Sequence, residues 1–242
     1  MRYRTDKIGF GNLLLTQNLR VFSYGVDAVI LADFVSKNIS EFSEIADLGT
    51  GNGIIPMILA HKNTNAEITG IELQESAASL AEYNIKANNL DNRIHIINKD
   101  VKNLPDDLNR TFNAVSCNPP YFKRGGGILN ESDEKTVARH ETTARLDDFF
   151  CAAERLLIAK GDFFLIHRPE RLVDIFVCAR KFSLEPKVIK FIKPYADKPA
   201  NLVLVKMKKG GGEELIFLPD LIIRKNDGNY TEEVLGIYER TF

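Results

Sequence analysis

The sequence lacks the features that identify membrane, secreted and strongly basic proteins. None of its apolar runs approaches the ~20 residues that a membrane-spanning helix needs. Residues 1–7 are polar and lack the apolar core of a signal peptide. The net charge is -1, so a nucleic-acid partner has to be recognised by a local basic patch. We therefore expect a cytoplasmic protein with no membrane contact.

Patterns for disulfides and metal ions are missing as well. The three cysteines, Cys117, Cys151 and Cys178, lie far apart and form no C-x-x-C pair. We expect each of them to be a small buried apolar residue rather than half of a disulfide or a zinc ligand. The four histidines show no ligand spacing, so no metal site is expected.

What the sequence does contain is an alternation of strand and helix patterns. Strands are predicted at 44–48, 66–72, 93–100, 112–117, 162–167, 188–192 and 202–207, with a further extended segment within 215–223. Helices are predicted at about 25–37, from 54 to about 60, and at 77–88, 146–159 and 171–182. About five alternations predict an α/β fold with a doubly wound, mainly parallel sheet. The short link between the last two strands predicts an antiparallel pair at one edge.

No composition shift marks a domain boundary along the chain. We expect a single domain over residues 1–242, with an N-terminal segment at 1–43, a core at 44–209 and a C-terminal extension at 210–242. Residues 1–23 have a mixed pattern that predicts no particular element. The polar stretch at 123–141 is typical of a functional loop, although the role of its three glycines, 125–127, is not explained.

A proline turn, Asn118-Pro119-Pro120-Tyr121, directly follows the strand that ends at Cys117. Two prolines cannot continue a ladder, because neither has a backbone N–H and both fix φ. In open α/β sheets the carboxyl ends of the strands are where ligands bind. The turn therefore predicts a binding site, and the alternative is a turn that merely ends a strand.

A glycine turn, residues 49–53, lies between a strand and a helix and lets the backbone approach a ligand closely. Glu72 ends the next strand about 20 residues later, where a carboxylate can accept hydrogen bonds from both ribose hydroxyls of an adenosine. Asp47 opposes a pyrophosphate but suits a cationic ligand. Asp100, at the third strand end, can accept from an adenine amino group. An ordinary βα turn and a solvated Asp100 carboxylate are the alternative interpretations.

As a set, these residues resemble the S-adenosylmethionine-binding pattern of class I methyltransferases over residues 44–120. The set comprises Asp47, Gly49, Gly51, Gly53, Glu72 and Asp100. The resemblance implies a Rossmann-like fold with S-adenosylmethionine as cofactor. It also implies cofactor contacts for Leu73, Val101 and Asn118.

Beside such a cofactor, the proline turn resembles the N/D-P-P-Y/F motif of methyltransferases that act on amino groups conjugated to a carbonyl or ring. The resemblance implies catalytic roles for Asn118, Pro119, Pro120 and Tyr121. The side-chain carbonyl of Asn118 and the backbone carbonyl of Pro119 can accept both hydrogens of the target nitrogen. That contact localises the lone pair toward the methyl group, and Tyr121 can stack on a planar target.

Flanking segments are similar to the bacterial valine-tRNA adenine-N6 methyltransferase family, whose members modify adenine 37. They are residues 17–32, residues 138–141 and the pair 221–224 with 230–231. The resemblance implies methyl transfer to the N6 amino group of adenine in a valine tRNA. Other members of class I with this motif act on proteins or on other RNA and DNA.

A basic stretch gives a separate indication of an RNA partner. Nine basic and two acidic residues lie between Arg180 and Lys209. Such a stretch predicts phosphate contacts, and a solvated basic face is the alternative. The candidate substrate contacts are Lys190, Lys206 and Lys208 in this stretch, and Lys123, Arg124, Arg139, His140 and Tyr121 near the proline turn.

Three other functions are compatible with parts of the sequence. A glutamine-amide methyltransferase acting on a protein such as a release factor has a similar core, but usually carries a helical domain before it. An RNA-binding module without catalysis has no need of an intact Asn118 and Tyr121. A nicotinamide oxidoreductase leaves Asp47 and the proline turn unexplained.

Overall fold

The computed structural model describes residues 3–18, 25–40, 42–120 and 144–239. The strands are β1 Tyr3–Lys7, β2 Leu14–Asn18, β3 Glu44–Leu48, β4 Glu67–Glu72, β5 Ile94–Asn98, β6 Phe112–Cys117, β7 Leu157–His167, β8 Leu184–Lys193, β9 Leu202–Lys209, β10 Ile216–Phe217 and β11 Leu221–Ile222. The helices are α1 Val26–Ser36, α2 Ile54–Lys62, α3 Glu75–Ala87, α4 Leu146–Leu156, α5 Leu172–Lys181 and α6 Glu232–Ile237.

Nine of these strands form one sheet in the order β10-β8-β9-β7-β6-β3-β4-β5, with β11 also paired to β8. The strands from β5 to β7 run parallel to one another, whereas β9 runs antiparallel to both β7 and β8. The predicted α/β class, with a mainly parallel sheet and an antiparallel pair toward one edge, is confirmed.

Helices cover both faces of the sheet, because the central strands are apolar on both sides. One face carries α1, α2 and α6, and its core includes Val29, Ile58 and Val234. The other face carries α4 and α5, and its core includes Phe150 and Ile175. Within the described ranges, every helix falls short of the length and apolar character that crossing a bilayer requires.

The strand order reverses between β3 and β6, which are neighbours in the sheet but not in the sequence. Leu48 is paired with Cys117, so the glycine turn and Asn118 leave adjacent strands at the same level. A reversal of this kind opens a crevice outside the carboxyl ends of the two strands. The glycine turn and the proline turn therefore lie next to each other at the carboxyl end of the sheet.

Three predictions about local structure were incomplete or wrong. Residues 3–18 contain an antiparallel hairpin of β1 and β2, which the mixed pattern did not predict. The helix predicted at 146–159 ends at Leu156, and β7 begins with no connecting residue, because Leu157 and Ile158 suit either structure. Cys117 and Cys178 are buried as predicted, but Cys151 is exposed on α4.

Candidate active site

The glycine turn after β3 needs glycine for its backbone. Gly49, Gly51 and Gly53 have φ values of 71°, 59° and 84°, a left-handed region that side chains disfavour. The backbone N–H groups of Gly49 and Thr50 both donate to the carbonyl of Ile71 in β4, at 2.8 and 3.1 Å. A Cβ atom added at Gly51 would meet no atom within 4 Å, so the turn faces open space there.

Glu72 fixes this turn from the end of β4. One carboxylate oxygen accepts from the backbone N–H of Gly51 at 2.9 Å, and the other accepts from Gln74 at 2.8 Å. The residue is only 7% exposed, so its carboxylate is held in one position beside the turn. The amide of Asn98 donates to the carbonyls of Glu72 and Leu73, which joins the ends of β4 and β5.

Asp47 is fully buried one residue before the end of β3. Its Oδ1 accepts a hydrogen bond from the hydroxyl of Ser116 at 2.7 Å. Its Oδ2 has no hydrogen-bond partner among the described residues, and the same is true of the Thr50 hydroxyl. Burial raises the pKa of Asp47 to about 7, although the nearby hydroxyls of Ser116 and Thr50 lower it, and the charge of Glu72 adds to the rise.

The third strand end carries Asp100, which the sequence placed near the adenine. Its carboxylate accepts from the backbone N–H of Lys102 at 2.9 Å and lies 3.3 Å from the Lys102 ammonium. Val101 beside it is buried, whereas Leu73 at the previous strand end is 46% exposed. Within the described ranges, no three His, Cys, Asp or Glu side chains gather closely enough to hold a metal ion.

Asn118 follows β6 and is linked to a residue that the sequence analysis did not assign a role. Its side-chain Nδ2 donates to Oδ2 of Asp27 at 3.1 Å. Asp27 lies in the first turn of α1, 91 positions earlier in the chain. Pro119 is buried and Pro120 is exposed. The fourth residue of the motif, Tyr121, lies outside the described residues, as do Lys123, Arg124, Arg139 and His140.

Sequence reasoning also missed Asn84, which is fully buried in α3. Its amide accepts from the backbone N–H of Thr16 at 2.8 Å and donates to the carbonyls of Thr16 and Asn52, both at 3.0 Å. It therefore ties the hairpin to the glycine turn. A polar residue on the apolar face of a helix was the available signal.

The basic stretch is largely paired with acidic side chains from elsewhere in the chain. Lys190 contacts Glu233 at 2.7 Å, and Lys206 and Lys208 both contact Asp162, at 3.3 and 2.8 Å. Lys208 is paired with Asp162 across the sheet, and Asp162 is paired with Ala114. Lys208 is therefore level with Ala114, within β6, and not with Asn118 at the carboxyl end of that strand. Lys190 is paired with Leu204, and Leu204 with Ile166, which is level with Asn118, but strands β9 and β7 separate β8 from β6. None of the three lysines therefore adjoins the proline turn.

The flanking motifs from the two ends of the chain meet in space. Val26, Arg224 and Tyr230 line one cleft, and the guanidinium of Arg224 lies 4.7 Å from the centre of the Tyr230 ring. Val26 directly precedes Asp27, so this cleft lies beside the helix turn that contacts Asn118.

The family model described as methyltransferase small domain matches residues 12–174. The chain belongs to this family. A tRNA1(Val) (adenine(37)-N6)-methyltransferase from Proteus mirabilis (strain HI4320) is 30% identical over 86% of this chain and 82% of the relative. One of the same description from Porphyromonas gingivalis (strain ATCC 33277) is 28% identical over 97% and 94%. The resemblance stated from the flanking motifs is thereby confirmed.

Solved structures support the fold of the family. The crystal structure of a predicted O-methyltransferase from Agrobacterium tumefaciens has a TM-score of 0.72 at 23% identity, covering 89% of this chain and 98% of that chain. The crystal structure of TYW2 from M. jannaschii in complex with AdoMet has a TM-score of 0.56 at 16% identity, with 86% of both chains covered. The family model confirms the predicted methyltransferase class, and these structures confirm its fold.

Proposed function

We propose that this chain transfers a methyl group from S-adenosylmethionine to the exocyclic N6 amino group of an adenine in tRNA, namely adenine 37 of a valine tRNA. The observation that carries the proposal is the pairing of Leu48 with Cys117, which places a glycine turn and an Asn-Pro-Pro turn side by side at the point of strand reversal. Curated relatives named for this reaction match almost the whole length of the chain.

The residues at this edge fit the cofactor. The Oδ2 of Asp47 and the hydroxyl of Thr50 are buried without a hydrogen-bond partner among the described residues, and both can accept a hydrogen bond from a cationic group. The open space at Gly51 lets backbone approach a ligand. We assign the cofactor to Asp47, Gly49, Gly51, Gly53, Glu72, Leu73, Asp100, Val101 and Asn118, with the ribose hydroxyls donating to Glu72 and the adenine amino group donating to Asp100.

When bound, S-adenosylmethionine supplies an electrophilic methyl group. The protein holds the nucleophile: the carbonyl of Asn118 and the backbone carbonyl of Pro119 accept the two hydrogens of the target amino group. These contacts orient the nitrogen and stabilise the positive charge that develops on it. The proton leaves after transfer, so no general base is required before attack. Tyr121 is assigned to stacking on the adenine.

The remaining assignments follow from a tRNA substrate. Lys123, Arg124, Arg139 and His140 are proposed to contact phosphates near the target base, and Lys190, Lys206 and Lys208 to contact phosphates farther away. Residues 1–242 are proposed to act as a single methyltransferase domain. With tRNA as the substrate, the reaction is proposed to take place in the cytoplasm.

The test is methyl transfer from labelled S-adenosylmethionine, with total tRNA and a release factor offered side by side. We expect label in tRNA and, after nucleoside digestion, N6-methyladenosine. Sequencing of the labelled tRNA then identifies the isoacceptor and the position. Label in the protein and none in tRNA would instead establish the glutamine-amide reaction and overturn the proposal.

A further inference from the structure

We propose that Asp27 is a positioning residue that fixes the orientation of the Asn118 amide. The inference rests on the proposed function and extends it to a helix of the N-terminal segment. It is carried by the hydrogen bond from Nδ2 of Asn118 to Oδ2 of Asp27, at 3.1 Å.

An asparagine amide can be turned by half a rotation with little change in shape, which exchanges its acceptor and its donor. The turned amide would present N–H groups to the target nitrogen and could accept neither of its hydrogens. A carboxylate has only acceptor oxygens. Facing Asp27, the Asn118 side chain must therefore direct its NH2 group toward α1, which directs its carbonyl oxygen away from α1.

Gly25 provides a second and independent observation. Its backbone, with φ −101° and ψ 172°, is extended and open to any residue, so conformation does not explain the glycine. An ideal Cβ atom at this position would lie 2.3 Å from Oδ1 of Asp27. A side chain at position 25 would thus displace the carboxylate, and glycine leaves the space that the carboxylate occupies.

The helix that carries Asp27 is rigidly held. The side chains of α1 from Ala28 to Val35 are all buried. At its far end Asp33 pairs with Lys37 at 2.8 Å and with Lys62 of α2 at 3.1 Å. A group that must hold a reacting side chain within a fraction of an ångström is best placed on an element of this kind.

Loss of a positioning contact should lower the rate of the chemical step more than it weakens binding of the donor. We expect Asp27→Ala to lower the single-turnover rate of methyl transfer by about 10- to 100-fold. Affinity for S-adenosylmethionine, measured by calorimetry, should stay within about twofold. Asp27→Asn retains one acceptor oxygen and should therefore fall between the wild type and Asp27→Ala.

Gly25→Ala should also lower the rate, although Asp27 and Asn118 are both retained. Two control variants separate this effect from damage to the helices. Asp174→Ala removes an acidic residue from the first turn of α5, and Gly236→Ala adds a methyl group to open space in α6. Neither control should change the rate by more than about twofold.

An exchange of the two side-chain types is the decisive measurement. Asn118→Asp alone places two carboxylates face to face and should abolish transfer. In the double variant with Asp27→Asn, the amide at position 27 can donate to the carboxylate at position 118. The hydrogen bond between the two positions is restored, and the second carboxylate oxygen at position 118 can still accept from the substrate. We expect the double variant to be at least about 10-fold faster than Asn118→Asp alone.

The possible outcomes are distinguishable. No rescue in the double variant, an Asp27→Ala rate within twofold of the wild type, or a loss of donor affinity as large as the loss of rate would each overturn the inference. If Asn118→Ala itself transfers methyl groups within a few-fold of the wild type, the role proposed for Asn118 fails first. If the wild type labels no tRNA, the proposed function fails.

Discussion

Asp47 is a carboxyl group whose surroundings disfavour its charge. It is fully buried, one of its oxygens has no partner among the described residues, and burial raises its pKa to about 7. A structural acid in a core is normally paired, because an unpaired buried charge is strongly destabilising. The lack of a partner at one oxygen of Asp47 is understandable if a cationic ligand completes its environment.

The same pKa predicts a pH-dependent destabilisation. The pKa of Asp47 in the folded state lies above 3.8, the ordinary value of an aspartate in an unfolded chain. The folded state therefore favours the protonated acid. Below about pH 4 the carboxyl is protonated in both states, and as the pH rises through 7 the penalty grows to about 4 kcal/mol. The Asp47→Asn variant cannot ionise at this position, so the variant should gain stability relative to the wild type between pH 4 and pH 8. Urea unfolding of both proteins without cofactor measures this difference.

The control for this measurement is Asp106→Asn, at a side chain that is 95% exposed. Its effect on stability should stay within about 0.5 kcal/mol at every pH. A pH-independent difference between Asp47→Asn and the wild type would show that folding does not raise the pKa of Asp47.

Binding of the cofactor should release a proton from Asp47. A cationic group beside the carboxylate favours its ionised form and lowers its pKa, so near pH 7 a fraction of a proton leaves on binding. Calorimetry in two buffers with different ionisation heats measures this fraction. We expect it to fall toward zero above about pH 9 and to vanish in Asp47→Asn. Equal release by the variant would assign the proton to another group.

At the scale of secondary-structure elements, the sequence predicts best where the signal is local. The ends of β3 and β6 are marked by Gly49 and by Pro119, residues whose backbone requirements are independent of the rest of the fold. Their meeting at one edge follows from the parallel order of the strands. The hairpin, by contrast, is specified by contacts that are distant in sequence.

Strand β1 illustrates the difference, because it is mostly exposed and polar and has no apolar alternation. Its partner β2 is held by Asn84 and Asn88 of the α3 region, 68 and 74 positions away. The link between Asp27 and Asn118 is equally distant, at 91 positions. The local sequence pattern cannot predict which polar residues form hydrogen bonds over such distances along the chain. The hairpin contacts and the link between Asp27 and Asn118 were therefore found only in the structure.

Asn84 and Asn88 provide a matched test of how the hairpin is held. Both amides bond to the backbone N–H and C=O of a residue in β2, but the Asn84 bonds to Thr16 are buried and the Asn88 bonds to Leu14 are exposed. Asn84→Ala leaves buried backbone groups without partners and should destabilise the protein by about 2–4 kcal/mol. Asn88→Ala should cost less than about 1 kcal/mol, since water replaces its bonds.

Urea unfolding of the two variants gives both values. Because Asn84 also donates to the carbonyl of Asn52, its loss should weaken S-adenosylmethionine binding as well. Equal destabilisation by the two substitutions would mean that the hairpin is held mainly by its apolar contacts.

At the scale of the whole molecule, charge is balanced between distant segments. The excess of basic residues between Arg180 and Lys209 is offset by partners such as Glu154, Asp162 and Glu233. The count of basic residues in this stretch therefore overstates the positive electrostatic potential that a tRNA would meet at the surface. Two sets of basic residues differ in location, however, because they lie on opposite faces of the sheet.

Lys190, Lys206 and Lys208 lie on the face that carries α1 and α6. Lys190 pairs with Glu233 of α6, and the Lys206 ammonium lies over the ring of Phe164, which contacts Phe34 of α1. The first turn of α1 contacts Asn118, so this face leads toward the proposed site. On the other face, Lys181 and Lys209 pair with acids of α4, and Arg180 pairs with Glu185.

We expect a triple Lys→Gln variant at 190, 206 and 208 to bind tRNA more weakly and with a flatter salt dependence. Each lost phosphate contact reduces the slope of log affinity against log salt concentration by slightly less than one, so three contacts reduce it by roughly 2–3. The control replaces Arg180, Lys181 and Lys209 by Gln, which removes the same charge from the opposite face. An equal decrease in both variants would indicate an unspecific effect of net charge, and an unchanged slope in the first would place the tRNA elsewhere on the molecule.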